Sequence, residues 1–149
     1  MNKRKRKKWL KKHHLYVNPK ETWNLDYSIA KYVLPRLKLF KKLENGYPGR
    51  GEMDTIEKWD AALDKMILAF QYIIEGDDWW IDNPEYDYIK GCHFYDKVSK
   101  NGKTRQLMCT EEDWVAIVRK KHDEEDKRRH KCIKEGLELF GKYFRDLWW

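Results

Sequence analysis

The sequence predicts a mainly α-helical fold, an antiparallel helical bundle with a small β-hairpin insertion and a basic N-terminal tail. Three long segments carry apolar residues at the three- and four-residue spacing of one helix face. Residues 92–110 combine strand-forming residues with an Asn-Gly pair, which favours a hairpin. Residues 1–12 hold eight Lys or Arg and no acid. At 149 residues the chain fits a single domain with one core.

The central helix is predicted from Asp54 to Gly76. Asp54 and Glu57 can form a capping box at its start, and Gly76 stands where a left-handed terminating residue is favoured. We expect this helix to be the scaffold on which the other helices pack. Its stripe consists of Ile56, Trp59, Leu63, Met66, Ile67, Phe70, Ile73 and Ile74.

A preceding helix is predicted over residues 24–44. Proline removes a backbone hydrogen bond and clashes with the preceding turn, so Pro35 predicts either a kink near Lys31 or a break into two helices. The inner stripe is assigned to Leu25, Ile29, Val33, Leu37 and Phe40.

The last helix is predicted to begin after a Thr110–Asp113 cap and to extend towards the C-terminus. Its apolar stripe lapses through residues 119–131, where the sequence is RKKHDEEDKRRHK. A stretch that is polar on all sides leaves three possibilities open, namely a solvent-bridging helix, a projecting helix or a break between two helices. Gly136 and Gly141 weaken the helix, which suggests a close approach to another backbone.

Residues 1–14 are interpreted as the basic tail and residues 15–149 as one helical domain with an insertion at about 77–110. The insertion begins with interleaved acids and aromatic residues and a turn at Asn83-Pro84. A hairpin follows, with Asn101-Gly102 suited to a type I′ turn. Because an isolated hairpin is only marginally stable, we expect it to pack on the helices.

The charge of the chain is segregated. The formal net charge is +7, yet residues 13–149 hold 24 basic and 25 acidic residues, so the excess lies in the tail. Such a block predicts salt-dependent contacts with nucleic-acid phosphates, with Trp9 available to stack on a base. The alternative is a solubilising tether. The predicted phosphate-binding residues are Lys3, Arg4, Lys5, Arg6, Lys7, Lys8, Lys11 and Lys12.

Aromatic residues are more abundant than a core requires, with eight Trp and nine Tyr. Trp and Tyr are favoured anchors of protein contacts, and paired rings can clamp a nucleobase. The alternative is that these rings close the hairpin onto the helices. The predicted contact residues are Trp79, Trp80, Tyr86, Tyr88, Trp148 and Trp149.

Metal and catalytic signals are weak. His122 and His130 lie on one helical face, but the surrounding charges indicate a solvated surface. Cys92, His93 and Cys109 flank the hairpin without the spacing of a zinc knuckle. No phosphate-binding glycine loop, nucleophile elbow or HExxH motif is present. We therefore predict no metal, no cofactor and no enzymatic activity.

The odd number of cysteines, three, and the lack of a long apolar run favour a cytoplasmic location without membrane contact. Three segments resemble recurrent sequences in small uncharacterised phage and prophage proteins: LDYSIAKYVLPRLKLF, WDAALDKMILAFQYI and EGLELFGKYFRDLWW. The resemblance implies a phage accessory protein in the cytoplasm of an infected bacterium. It further implies binding of a host protein or ribonucleoprotein, including inhibition of anti-phage defence. Sequestration of a nucleotide signal and general nucleic-acid binding stay open as alternatives.

Overall fold

The structure, a computed structural model, describes residues 2–13, 15–43, 46–100 and 102–148. This part of the chain is mainly helical, with four α-helices and a two-stranded antiparallel hairpin. The elements in chain order are α1 (Lys3–Lys12), α2 (Leu25–Leu43), α3 (Ile56–Glu75), β1 (Cys92–Val98), β2 (Arg105–Glu111) and α4 (Val115–Lys142). None of the helices in these ranges is both long and apolar enough to cross a membrane.

Helix α3 forms the centre of the core and packs against both α2 and α4. Most of its predicted stripe is buried or half-buried, including Trp59, Leu63, Met66 and Phe70, whereas Ile56 at the first turn is exposed. The N-cap is Thr55, not the predicted Asp54, because the Thr55 hydroxyl accepts from the backbone N–H of Lys58 at 3.3 Å. Asp54 instead pairs with the Lys58 ammonium at 2.6 Å. Gly76 ends the helix with φ of 70°, as predicted.

Helix α2 is a single helix despite Pro35, so of the two predicted alternatives the break into two helices is wrong. Proline leaves the Lys31 carbonyl without its helical partner, and that residue is exposed to water. The predicted inner stripe is also wrong in its first half, because Leu25 and Ile29 are exposed while Ala30 is buried. Successive four-residue steps drift by about 40° around a helix of 3.6 residues per turn, so these residues rotate off the core face.

Helix α4 is continuous through the polar stretch, so the chain does not break there. The helix begins at Val115 after Trp114, and no side-chain hydrogen bond from Trp114 caps it. Gly136 is buried against α3, where a Cβ would lie 2.4 Å from the Ala69 Cβ and 2.5 Å from the Lys65 carbonyl oxygen. This confirms the predicted close approach at Gly136. At Gly141 the same prediction is wrong, because no described atom lies within 4 Å of such a Cβ.

The hairpin projects from the body. Strand β1 pairs with β2 in the register Cys92↔Glu111 to Val98↔Arg105. Most side chains of both strands are exposed. The expectation that it packs on the helices is therefore wrong beyond its base, where Gly91 contacts Trp114 and Val115. Gly102 has φ of 68°, whereas Asn101 of the predicted type I′ turn lies outside the described residues.

Candidate binding surfaces

The first surface is α1, which is exposed along nearly its whole length. Asn2 caps it by accepting from the backbone N–H groups of Arg4 and Lys5 at 2.8 and 3.2 Å. The sequence favours this helix locally because its cap is strong and basic residues in the last turn suit the helix dipole. Repulsion among its cations opposes it. The helix thus presents its cations together on one exposed element.

The cations of α1 have no carboxylate partner within 4 Å among the described residues. Two of them contact an aromatic ring, because the Lys7 and Lys11 ammonium groups lie 5.0 and 5.3 Å from the Tyr16 ring centroid. Trp9 is about half exposed, and its ring centroid lies 4.4 Å from that of His13. The eight predicted phosphate-binding residues are therefore brought together on one element, with an accessible indole among them.

The second surface is where the aromatic insertion packs on the polar half of α4. Trp79 is only 7% exposed and stacks on His122, with ring centroids 5.3 Å apart and planes 17° apart. On the same ring, the Arg129 guanidinium carbon lies 4.2 Å from the Trp79 centroid. The insertion therefore packs on residues 119–131, the polar stretch that interrupts the apolar stripe of α4.

Further cation–ring pairs stabilise the packing of the insertion on α4. Lys121 lies 4.5 Å from the Tyr86 ring centroid, and its ammonium is 2.9 Å from a carboxylate oxygen of Glu85. The hydrogen bond to Glu85 raises the pKa of Lys121. Arg119 lies 5.1 Å from the Tyr88 centroid. Of the predicted contact residues, Trp80, Tyr86 and Tyr88 are half-buried in this cluster.

Trp148 does not join this cluster. It is 76% exposed and follows the C-terminal end of α4. About 30 Å of helix separates Lys142 from His122, since each helical residue advances the chain by 1.5 Å. Trp149 lies outside the described residues. The structure therefore places Trp148 apart from the other four described residues, which pack beside residues 119–129 of α4.

A cleft of about 560 Å³ lies beside the insertion. Tyr72 and Trp79 form part of its wall, and Arg129 stacks on both rings. Arg129 is already paired, because it donates to Glu75 at 2.6 Å and to Glu125 at 3.1 Å. Three further carboxylates line the cleft, from Asp26, Asp77 and Asp126. The cleft therefore favours a cationic ligand over a phosphate.

The third feature is a pair of thiols at the base of the hairpin. The ligating atoms of Cys92, Cys109 and Glu111 all lie within 4.8 Å of one another. Desolvation is the largest cause that raises the pKa of the Cys109 thiol, and the hydrogen bond with Cys92 is the second largest. The Arg119 guanidinium is paired with Glu111 and lies 4.0 Å from the Cys92 sulfur, so a positive charge already occupies this position. Cation binding here would have to displace it.

The histidines considered as metal ligands are engaged elsewhere. His93 faces Glu112, with its Nε2 3.2 Å from a carboxylate oxygen. His130 Nδ1 lies 2.9 Å from the backbone oxygen of Asp126, and His122 is packed among rings.

Sequence reasoning missed His122, Arg119, Lys121 and Arg129 as partners of the insertion. The available signal was complementarity, since the basic residues of 119–131 match the acids and rings of 77–88. It also missed the exposed face of α2.

Comparisons with family models, curated proteins and solved structures find no match for this chain.

Proposed function

We propose that this chain is a non-enzymatic binding protein that engages a ribonucleoprotein of a bacterial host, using α1 to contact nucleic-acid phosphates. The observation that carries the proposal is the array of cations on α1, which have no carboxylate partner in the described part of the chain. Elsewhere the basic residues are frequently paired, as in Lys41–Asp64 at 2.6 Å and Arg50–Asp146 at 2.7 Å. An unpaired cationic helix releases counterions when it binds a polyanion, which favours association.

The finer arrangement belongs to the same proposal. An antiparallel bundle would serve as scaffold, and α1 would act as a tail that docks on the polyanion. The phage origin, the cytoplasmic location in an infected bacterium and the anti-defence role rest on the resemblance of the three helical segments. Protein contact through Trp80, Tyr86, Tyr88 and Trp148 stays a prediction, whereas burial of Trp79 supports a packing role for that ring.

The test is fluorescence anisotropy with a labelled single-stranded RNA of mixed sequence across a salt series. Replacing Lys5, Arg6, Lys8 and Lys12 by Gln should weaken binding and reduce the salt slope by roughly 0.7 for each phosphate that is no longer neutralised. The matched control replaces four exposed lysines of the body by Gln, which gives the same change in net charge. These are Lys20, Lys38, Lys127 and Lys134. An equal loss of affinity in the two variants would contradict a specific role of α1.

A second variant separates stacking from charge. Trp9→Ala should lower affinity for single-stranded RNA by roughly 1–3 kcal/mol, because one base loses its aromatic platform. The salt slope should stay unchanged, since no cation is removed. Affinity for duplex RNA should change little.

Sequestration of a nucleotide signal is supported less well. The cleft contains the rings that such a ligand would need, but Asp26, Asp77 and Asp126 would oppose its phosphates. A thermal shift with a cyclic dinucleotide that disappears in Tyr72→Ala would favour this alternative over RNA binding.

A further inference from the structure

Helix α2 carries a second apolar stripe on the side that faces solvent. Its residues follow the spacing 4-3-4-3-4, which is the heptad spacing of helices that pack along their length. Five large apolar side chains in it are 46–62% exposed. The stripe, called here the α2 seam, consists of Leu25, Ile29, Tyr32, Arg36, Leu39 and Leu43.

The α2 seam is separate from the face that α2 buries against α3. At 100° per residue, its centre lies about 130° around the helix from that of the buried Ala30 and Leu37. Val33 and Phe40 lie between the two faces and are half-buried. The seam borders an apolar groove of about 350 Å³, which Phe140 and Leu147 help to line. The apolar surface is therefore continuous from the core edge to the seam.

We propose that the α2 seam binds a second copy of this chain, with the two α2 helices antiparallel about a two-fold axis that crosses the seam midway between Tyr32 and Arg36. A two-fold interface must be self-complementary. The seam meets this condition because its residues are spaced symmetrically about position 34. The pairs would be Leu25 with Leu43 of the second copy, Ile29 with Leu39, and Tyr32 with Arg36.

The central pair selects the antiparallel direction. In a parallel pairing Arg36 would face Arg36 of the second copy, which places like charges opposite each other in a dry contact. In the antiparallel pairing each Arg36 meets a tyrosine ring of the other copy. In the single chain the guanidinium lies 3.5 Å from the centroid of its own Tyr32 ring and donates to the Tyr32 carbonyl oxygen at 2.7 Å, so the dimer would exchange this ring contact for one with the other copy. Arginine over tyrosine is a favourable cation–ring contact.

The size of the seam predicts a weak dimer. A helix of 19 residues is about 28 Å long and about 10 Å wide with its side chains. That footprint is about 280 Å² for each copy, or about 560 Å² for the pair, which is well below the roughly 1,200–2,000 Å² buried by stable complexes. We therefore expect a dimer that dissociates on dilution. This inference does not rest on RNA binding by α1.

The test is sedimentation velocity of the full chain over a hundredfold range of concentration. The parent protein should shift from monomer towards dimer, and Ile29→Lys and Leu39→Glu should each remain monomeric at the highest concentration. Both substituted side chains are exposed, and a circular dichroism melt will confirm that each variant folds. Leu107→Lys is the matched control, because this leucine is exposed on the hairpin. It should dimerise like the parent.

Mixing the two variants tests the direction. In the antiparallel pairing, the ammonium introduced by Ile29→Lys in one chain faces the carboxylate introduced by Leu39→Glu in the other. An equimolar mixture should therefore associate at least tenfold more tightly than either variant alone. In a parallel pairing the two charges do not meet, and the mixture should stay monomeric.

Four outcomes would each overturn the proposal. They are a parent that is monomeric throughout, a dimer unaffected by Ile29→Lys, a dimer abolished by Leu107→Lys, and a mixture of the two charged variants that fails to associate.

Discussion

Two glycines of α4 have opposite surroundings although they are five residues apart. Gly136 lies where a Cβ would collide with Ala69 and the Lys65 carbonyl of α3, whereas Gly141 has open space. We expect Gly136→Ala to lower the free energy of unfolding by roughly 1–3 kcal/mol, because overpacking outweighs the gain in helix propensity. Gly141→Ala should raise it by roughly 0.5–1 kcal/mol, because only the propensity gain remains.

Urea unfolding monitored by circular dichroism at 222 nm will measure both changes. The pair controls for helix propensity, since the same substitution is made in the same helix. Stabilisation of both variants would mean that α3 and α4 are farther apart at Gly136 than the structure shows.

At the scale of elements, the insertion and α4 hold each other in place. Trp79 is buried between His122 and Arg129, so Trp79→Ala should lower the free energy of unfolding by about 3 kcal/mol, typical of a buried tryptophan. Trp23→Ala is the matched control, since Trp23 is 90% exposed and should change stability by less than about 0.5 kcal/mol.

Thermal melts will compare the two variants, and RNA anisotropy below the transition will test function separately. If Trp79 only packs, Trp79→Ala should bind RNA like the parent while it is folded. An unchanged melting temperature with abolished binding would instead make Trp79 a contact residue.

At the scale of the whole molecule, acid should destabilise the fold through Glu125. Hydrogen bonds from Arg128, and then from Arg129, lower the pKa of Glu125 below its ordinary value of 4.5. A carboxyl whose pKa is depressed in the folded state contributes stability that is present above the unfolded pKa. That contribution is lost as the pH falls from 4.5 through the folded pKa.

Glu125→Gln should therefore cost roughly 1.5–3 kcal/mol at pH 7, the range for hydrogen bonds to charged groups, and less than that at pH 3. Denaturant unfolding at both pH values measures this. Glu124→Gln is the matched control, because Glu124 is exposed and its carboxylate is 4.0 Å from Lys120. A loss of stability at pH 7 that persists unchanged at pH 3 would contradict the assigned role of Glu125.

The helices and the hairpin were predictable because their signals are local. The apolar period of α3 and its terminating Gly76 lie within that segment. The hairpin was predicted from strand-forming residues on both sides of the Asn101-Gly102 pair. Contacts between elements were harder. Trp80 is half-buried and Trp79 is buried because they contact basic residues of α4 more than 40 positions later in the chain. No periodic pattern within the insertion predicts such a contact.

The side of α2 that meets α3 was mispredicted for a related reason. Leu25 and Ile29 satisfy two periodic patterns at once, one with steps of four and one with heptads, and only packing selects between them. Tertiary contact with α3 fixes Ala30 and Leu37 as the buried pair. The sequence alone therefore does not show which of the two apolar faces of α2 is buried.

The projecting hairpin leaves the outer backbone edges of β1 and β2 unpaired by any other strand in the described part of the chain. Open edges can recruit strands from other molecules and begin aggregation. Asp96 and Lys97 on β1 and Arg105 on β2 place charge along these edges. Charged side chains discourage edge-to-edge stacking. The hairpin can therefore expose Phe94 and Leu107 to water while its flanking charges protect the chain from polymerising through it.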